Sequence, residues 1–221
     1  MKLLIPLIFA VLILGMISII PIQDAQAEIK SIKKRVLFHE TPQFCLFGEN
    51  EKSLKVGTDS ILDWKNQLQS YTNDTTNWNM VLIINPTDIY KCNAEIHFLA
   101  KPETEKDRSM KAQGKVEFEK DKAVVEGYKA IVEVYTTQYY DESAHQYEVG
   151  KDNRARPVPY EFADVPLDLL GKVTKHELGH VFGLKHQNSD SIMISGTRLA
   201  EITETDLKGV IEKYGINGWA D

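Results

Sequence analysis

The eleven residues HELGHVFGLKH, 176 to 186, hold three of the chain's six histidines, with a glutamate directly after the first. On an α-helix His176 and His180, four apart, project from one face about 40° apart around the axis, so both imidazoles reach a single ion. Glu177 lies about 100° round from His176, beside such an ion rather than aimed at it. That placement suits a base acting on water. Gly183 is free to take the left-handed backbone conformation that ends a helix and turns the chain. Only such a turn returns His186 to the other two histidines. Three neutral nitrogen ligands with an open fourth position are what a catalytic zinc needs, whereas a structural zinc is closed by a fourth protein ligand, usually cysteine. No cysteine lies near. Imidazoles without a carboxylate ligand favour zinc over iron, cobalt or manganese. The competing reading, an amphipathic helix with solvated histidines, needs His, Glu, His, Gly and His to meet at fixed offsets by chance.

The rest of the chain is ordinary globular material. Its 221 residues are 43% hydrophobic and 26% charged, with no repeat, low-complexity tract or linker, which predicts a single folded domain. Net charge is -6 and the basic residues are scattered, so there is no electrostatic footprint for nucleic acid. Residues 1–27 differ in kind. Lys2 precedes an apolar run to Ile22, and Ala25-Gln26-Ala27 has the form of an export cleavage site. This predicts a signal peptide, 1–27, and a mature domain, 28–221. The alternative is an uncleaved anchor, because the run approaches the ~20 residues that span a bilayer. Either reading puts the domain outside the cytoplasm, secreted or on the extracellular face of the cell envelope, with the anchor its one route to a membrane. There the even cysteine count suggests a Cys45–Cys92 disulfide, the alternative being that Cys45 is a free metal-binding thiol.

Along the mature chain, KRVLFHE (34–40) has the composition of a short strand. A helix is expected from Ser60, where Ile61, Trp64, Leu68 and Tyr71 form an apolar stripe and Ser60 with Asp63 a capping-box signature. The break that follows contains the glycosylation sequon Asn73-Asp74-Thr75. Strands are expected at 80–85, 94–100, 115–119, 123–128 and 130–137, a loop over 101–114, and irregular polar surface over 138–156. A long helix starts near Asp164, with Pro166 in its first turn, and runs to Gly183. In the last helix Thr203 and Asp206 form a capping box, Leu207, Val210, Ile211 and Tyr214 an apolar stripe, and Gly215 the stop.

Residues 176–186 match H-E-x-x-H-x-x-G-x-x-H, and the chain resembles the metzincin metallopeptidases, whose long zinc signature this is. Met193, seven residues after His186, stands where that family has its Met-turn, a methionine forming an apolar floor beneath the metal without ligating it. ITETDLKGVIEKYG (202–215) is similar to the closing helix of the matrixin branch, and AEIHFLA (94–100) resembles a matrixin strand. The resemblance implies an α+β, metzincin-type zincin catalytic domain: a twisted mixed sheet, two long helices and a C-terminal helix. It implies one catalytic zinc on His176, His180 and His186, with Glu177 as general base and Gly183 and Met193 in structural roles. It also implies a monomer that binds an extended polypeptide substrate along an edge strand, for which AIVEVYTT (130–137) is the candidate.

Departures from the family pattern are specific. The histidine- and aspartate-rich loop that carries a second zinc and calcium in matrixins is not found between Lys101 and Arg156, so no calcium site is read. His97 and His145 are expected to be surface histidines. The latency cysteine is missing, and Ile194-Ser195 follows Met193 in place of the usual Tyr-Pro, which alters the wall of the specificity pocket. The expected activity is that of an exported zinc endopeptidase acting by metal-activated water. Two alternatives remain: a non-catalytic, zinc-containing cell-surface binding protein, and an amidase or peptidoglycan-type hydrolase using the same metal.

Overall fold

Apolar residues at alternate positions give a β-sheet one face on which helices can pack. A computed structural model of the chain describes residues 38–100, 114–120, 128–139, 147–151, 154–157, 162–187, 191–195 and 201–219. Five of its strands form one sheet: β1 (Gln43–Phe47), β2 (Val81–Ile84), β3 (Ala94–Leu99), β4 (Gly114–Lys120) and β5 (Tyr128–Tyr135). Their spatial order is β2-β1-β3-β5-β4, with β4 antiparallel to β5 and all other neighbours parallel. Phe44 and Leu46 of β1, Ala94, Ile96 and Phe98 of β3, and Ala130, Val132 and Val134 of β5 are buried in the core. The residues between them point the other way. On that second face His97 stacks on Phe47 with ring centroids 4.5 Å apart, and its Nε2 lies 3.0 Å from the buried Glu95 carboxylate, which also pairs with Lys129. His97 is thus a half-buried, satisfied side chain rather than a surface one, and His145 lies outside the described residues.

The α-helices among the described residues are α1 (Glu51–Thr72), which packs against β1 and β3, α2 (Leu167–Val181), which packs against β4 and β5, and α3 (Glu204–Tyr214), which packs against α1. The mixed sheet and these helices give the expected α+β architecture. Helix α1 begins nine residues before the expected start at Ser60, on an Asn50 cap whose side chain accepts from the Lys52 N–H at 2.9 Å. Ser60 is buried inside the helix, where its hydroxyl donates to the Val56 carbonyl at 2.8 Å. The first turns were hidden because their buried face is carried by Ser53, Leu54 and Gly57 amid charged residues. Gly57 admits the Phe98 ring, since a Cβ there would lie 2.8 Å from it, and so helix and sheet approach closely.

Helix α1 also holds α2. The Trp64 indole N–H donates to the Lys175 carbonyl at 3.0 Å, and the Lys175 ammonium pairs with Asp63 at 2.7 Å and Glu201 at 2.9 Å. Pro166 occupies the N-cap of α2 rather than its first turn. At the end of the described chain Trp219 is 2% exposed, donates to the Asn79 carbonyl at 2.8 Å, and packs against Phe38, Trp78, Phe182 and Tyr214.

Other strand expectations need correction. Residues 1–37, including the expected signal peptide and most of the strand at 34–40, lie outside the described residues; residues 39–41 form a bend, and the first described strand is β1. AIVEVYTT is not an edge: β5 runs between β3 and β4, and the edge strand on that side is β4. Its apolar alternation reflects burial in mid-sheet. The expected strand at 123–128 lies outside the described residues except for Tyr128, which opens β5, as does 101–113 of the expected loop. Part of 138–156 is regular, for β6 (Thr137–Tyr139) pairs with β9 (Phe162–Asp164) and β7 (Tyr147–Val149) with β8 (Ala155–Pro157). Such three-residue strands are too short to show a period. Among the described residues no helix is long and apolar enough to cross a membrane.

Cys45 in β1 and Cys92, two residues before β3, form a disulfide with Cα atoms 5.7 Å apart, closing a loop of sequence separation 47 that contains α1 and β2. Constraining a loop of that length in the unfolded chain stabilises the fold by up to ~4 kcal/mol in the chain-entropy model. Replacing both cysteines by serine is therefore expected to lower unfolding stability by roughly 2–4 kcal/mol in denaturant titration. An unchanged midpoint would show that the crosslink contributes nothing.

Candidate metal centre

Helix α2 places His176 and His180 on one face, and the backbone after it decides where His186 goes. Gly183, at φ +85°, takes the left-handed conformation just beyond the helix. The Gly183 N–H donates to the His180 carbonyl and the Leu184 N–H to the Gly179 carbonyl, both at 2.9 Å. This is the paired hydrogen-bond pattern of a Schellman ending. It reverses the chain so that His186 faces the helix it has just left. The Gln187 N–H then donates to the Met193 carbonyl at 2.9 Å, tying the returning strand to the following turn.

The protonation of two rings follows from their partners. His176 donates Nδ1–H to the Ile192 carbonyl at 2.6 Å, and His180 donates Nδ1–H to the Leu184 carbonyl at 2.9 Å. A carbonyl only accepts, so both Nε2 atoms carry lone pairs in the neutral rings. Each lies 3.2 Å from the Nε2 of His186. A single N–H on His186 serves one of them at most, so three nitrogens converge without enough protons to join them. A cation resolves this. Two nitrogens ~2.05 Å from a tetrahedral ion stand about 3.3 Å apart, which matches the observed spacing. Burial, reinforced by the neighbouring imidazoles, lowers the pKa of both His176 and His180 and keeps them in the neutral, ligating form. Among the described residues this trio is the one group of three or more His, Cys, Asp or Glu side chains placed to hold a metal ion. Cys45 is bound in its disulfide and takes no part in it.

Glu177 is only 7% exposed, and burial pushes its carboxyl up to about 7. A dication beside it would favour the ionised form and draw that value down.

Beneath the histidines, Met193 is fully buried and its Sδ packs on the backbone of Gly179, leaving no room for any side chain at that position. Met193 is thus a floor under the turn of α2 that carries His176 and His180. Its own position is fixed by Asp206, the third residue of α3, which is 0% exposed. One Asp206 oxygen accepts from the Ser191 hydroxyl; the other accepts from the Ile192 N–H at 3.1 Å, the Thr203 N–H at 2.9 Å and the Thr203 hydroxyl at 2.8 Å. Ser191 in turn receives the Met193 N–H at 2.8 Å. The expected capping box is formed, but its aspartate also anchors the segment whose Ile192 carbonyl orients His176. Nothing in the spacing of Thr203 and Asp206 signals this second role. Gly179 carried a weak signal, a glycine inside a helix at a cost of about 1 kcal/mol relative to alanine.

The family model described as Matrixin, peptidase M10, matches residues 76–215, more than half of the chain and all of this centre. The chain belongs to the matrixin family. With the three grouped imidazoles, this makes it a zinc metallopeptidase. No curated protein matches the sequence. About half of the stretch between Lys101 and Arg156, where matrixins carry a second zinc and calcium, lies outside the described residues.

Because Asp206 orients His176 through Ile192, Asp206→Asn is expected to weaken zinc binding by roughly 10- to 100-fold, the usual cost of losing a group that orients a ligand. Competition against a chromogenic chelator measures this. Unchanged affinity in the folded variant would remove Asp206 from the metal site.

Proposed function

We propose that this matrixin is an exported endopeptidase that hydrolyses peptide bonds within protein substrates, with zinc on His176, His180 and His186 and Glu177 as general base. The observation that carries the reading is the convergence of the His186 nitrogen with those of His176 and His180, on the helix that also holds a buried carboxylate next to the first of them. When bound, zinc lowers the pKa of water toward neutrality and polarises a carbonyl as a Lewis acid. The chain supplies the rest.

Glu177 receives the proton of the attacking water and delivers it to the amide nitrogen as that nitrogen leaves. The Nδ1–H donations to Ile192 and Leu184 hold two rings in the ligating tautomer. Strand β4 supports an extended substrate: it ends the sheet and packs against α2, so a peptide pairing with its outer side would run past the histidines. The apolar run to Ile22, the Ala25-Gln26-Ala27 cleavage pattern and the Cys45–Cys92 disulfide support export to an oxidising compartment.

Glu177→Gln is expected to keep its zinc content while losing proteolysis by roughly 100- to 10,000-fold, and a chelator is expected to abolish cleavage of an unfolded protein by the native enzyme. Retained cleavage in the variant would reject the base assignment. For export, N-terminal sequencing of the protein recovered outside the cell is expected to begin at Glu28; a chain starting at Met1 would instead indicate the anchor.

A further inference from the structure

Gly114 opens β4, pairs with Val134 of β5, and is buried. As a residue paired in the β4–β5 ladder it lies in extended backbone of the kind that any L-residue adopts. What excludes a side chain is a neighbour. A Cβ on Gly114 would lie 2.8 Å from Cγ and Oε1 of Glu177 and 3.0 Å from its Cδ, and its three nearest atoms all belong to that one side chain. The other crowded helix and strand glycines differ, for Gly57 meets Phe98, Gly179 meets Met193 and Gly209 meets Leu184, all packing contacts of the core. At Gly114 the contact is with an ionisable group beside the three imidazoles.

We propose that Gly114 is a positioning residue for the Glu177 carboxylate, which occupies the space that a side chain on the edge strand would take and is held there by the bare strand backbone. This rests on the reading of Glu177 as general base. The obstacle to a methyl group is the movable end of a glutamate, not backbone. Alanine therefore leaves the fold intact and displaces the carboxylate. Displacements of about 1 Å in a catalytic group cost on the order of 100-fold in rate. The loss should fall on kcat, with KM little changed, because the edge strand still pairs with substrate.

The test combines Gly114→Ala with Glu177→Ala and Glu177→Gln. Gly114→Ala is expected to bind zinc as the native chain does and to lose on the order of 100-fold in kcat. In the metal-free proteins Gly114→Ala is expected to lower Tm when Glu177 is present and to leave it unchanged in the Glu177→Ala background, where the clashing atoms are gone. An equal fall in Tm in both backgrounds, or native kcat in Gly114→Ala, would overturn the proposal. If Gly114→Ala fails to fold, a folded Gly114→Ala/Glu177→Ala double variant supports the contact and an unfolded one refutes it. Retained cleavage in Glu177→Gln would count against the base assignment alone, since the Tm comparison tests the contact without it.

Discussion

The hydrogen bond from His176 Nδ1 to the Ile192 carbonyl is the contact on which the centre depends. It fixes one tautomer, aims the opposite nitrogen at the other two rings, and makes the geometry of α2 answerable to a turn sixteen residues further along. His180 is fixed in the same way by Leu184, but that bond spans a single helix ending and is local. His176 needs the turn at 191–193, and that turn needs a carboxylate from α3. The helix that carries two of the three imidazoles is therefore held from three directions: by α1 through Trp64 and Lys175, by the turn through Ile192, and by α3 through Asp206.

The centre was legible in sequence to the extent that its geometry is local. His176, Glu177 and His180 share consecutive turns of one helix, and Gly183 is a backbone requirement that only a glycine meets without strain, so spacing alone carried the arrangement. Helix boundaries were less legible. A cap signature at Ser60 was real chemistry in the wrong place, because hydroxyls inside helices also bond to the carbonyl four residues back. Sheet position was illegible for a different reason. An alternating strand such as β5 reads the same at an edge or in the middle, and only the antiparallel return of β4 along its outer side decides between them.

Glycines show the same limit. Gly183 is explained by its own φ, whereas Gly57, Gly179 and Gly114 are explained by what lies against them: an aromatic ring, a thioether and a carboxylate. The first kind of glycine can be anticipated from the residues around it in the chain. The second becomes intelligible only when another element is brought alongside. Each of these close approaches removes space between layers, which is why Met193 can lie directly beneath the turn that presents the imidazoles.

The burial of Asp206 also bears on timing. Its helix follows α2 and the 191–193 turn in the chain, so the Asp206 contacts to Ser191 and Ile192 form only once that helix has docked. A molecule in which that helix has come away accordingly loses the carboxylate that receives the Ser191 hydroxyl and the Ile192 N–H, and with it the anchor of the turn that orients His176.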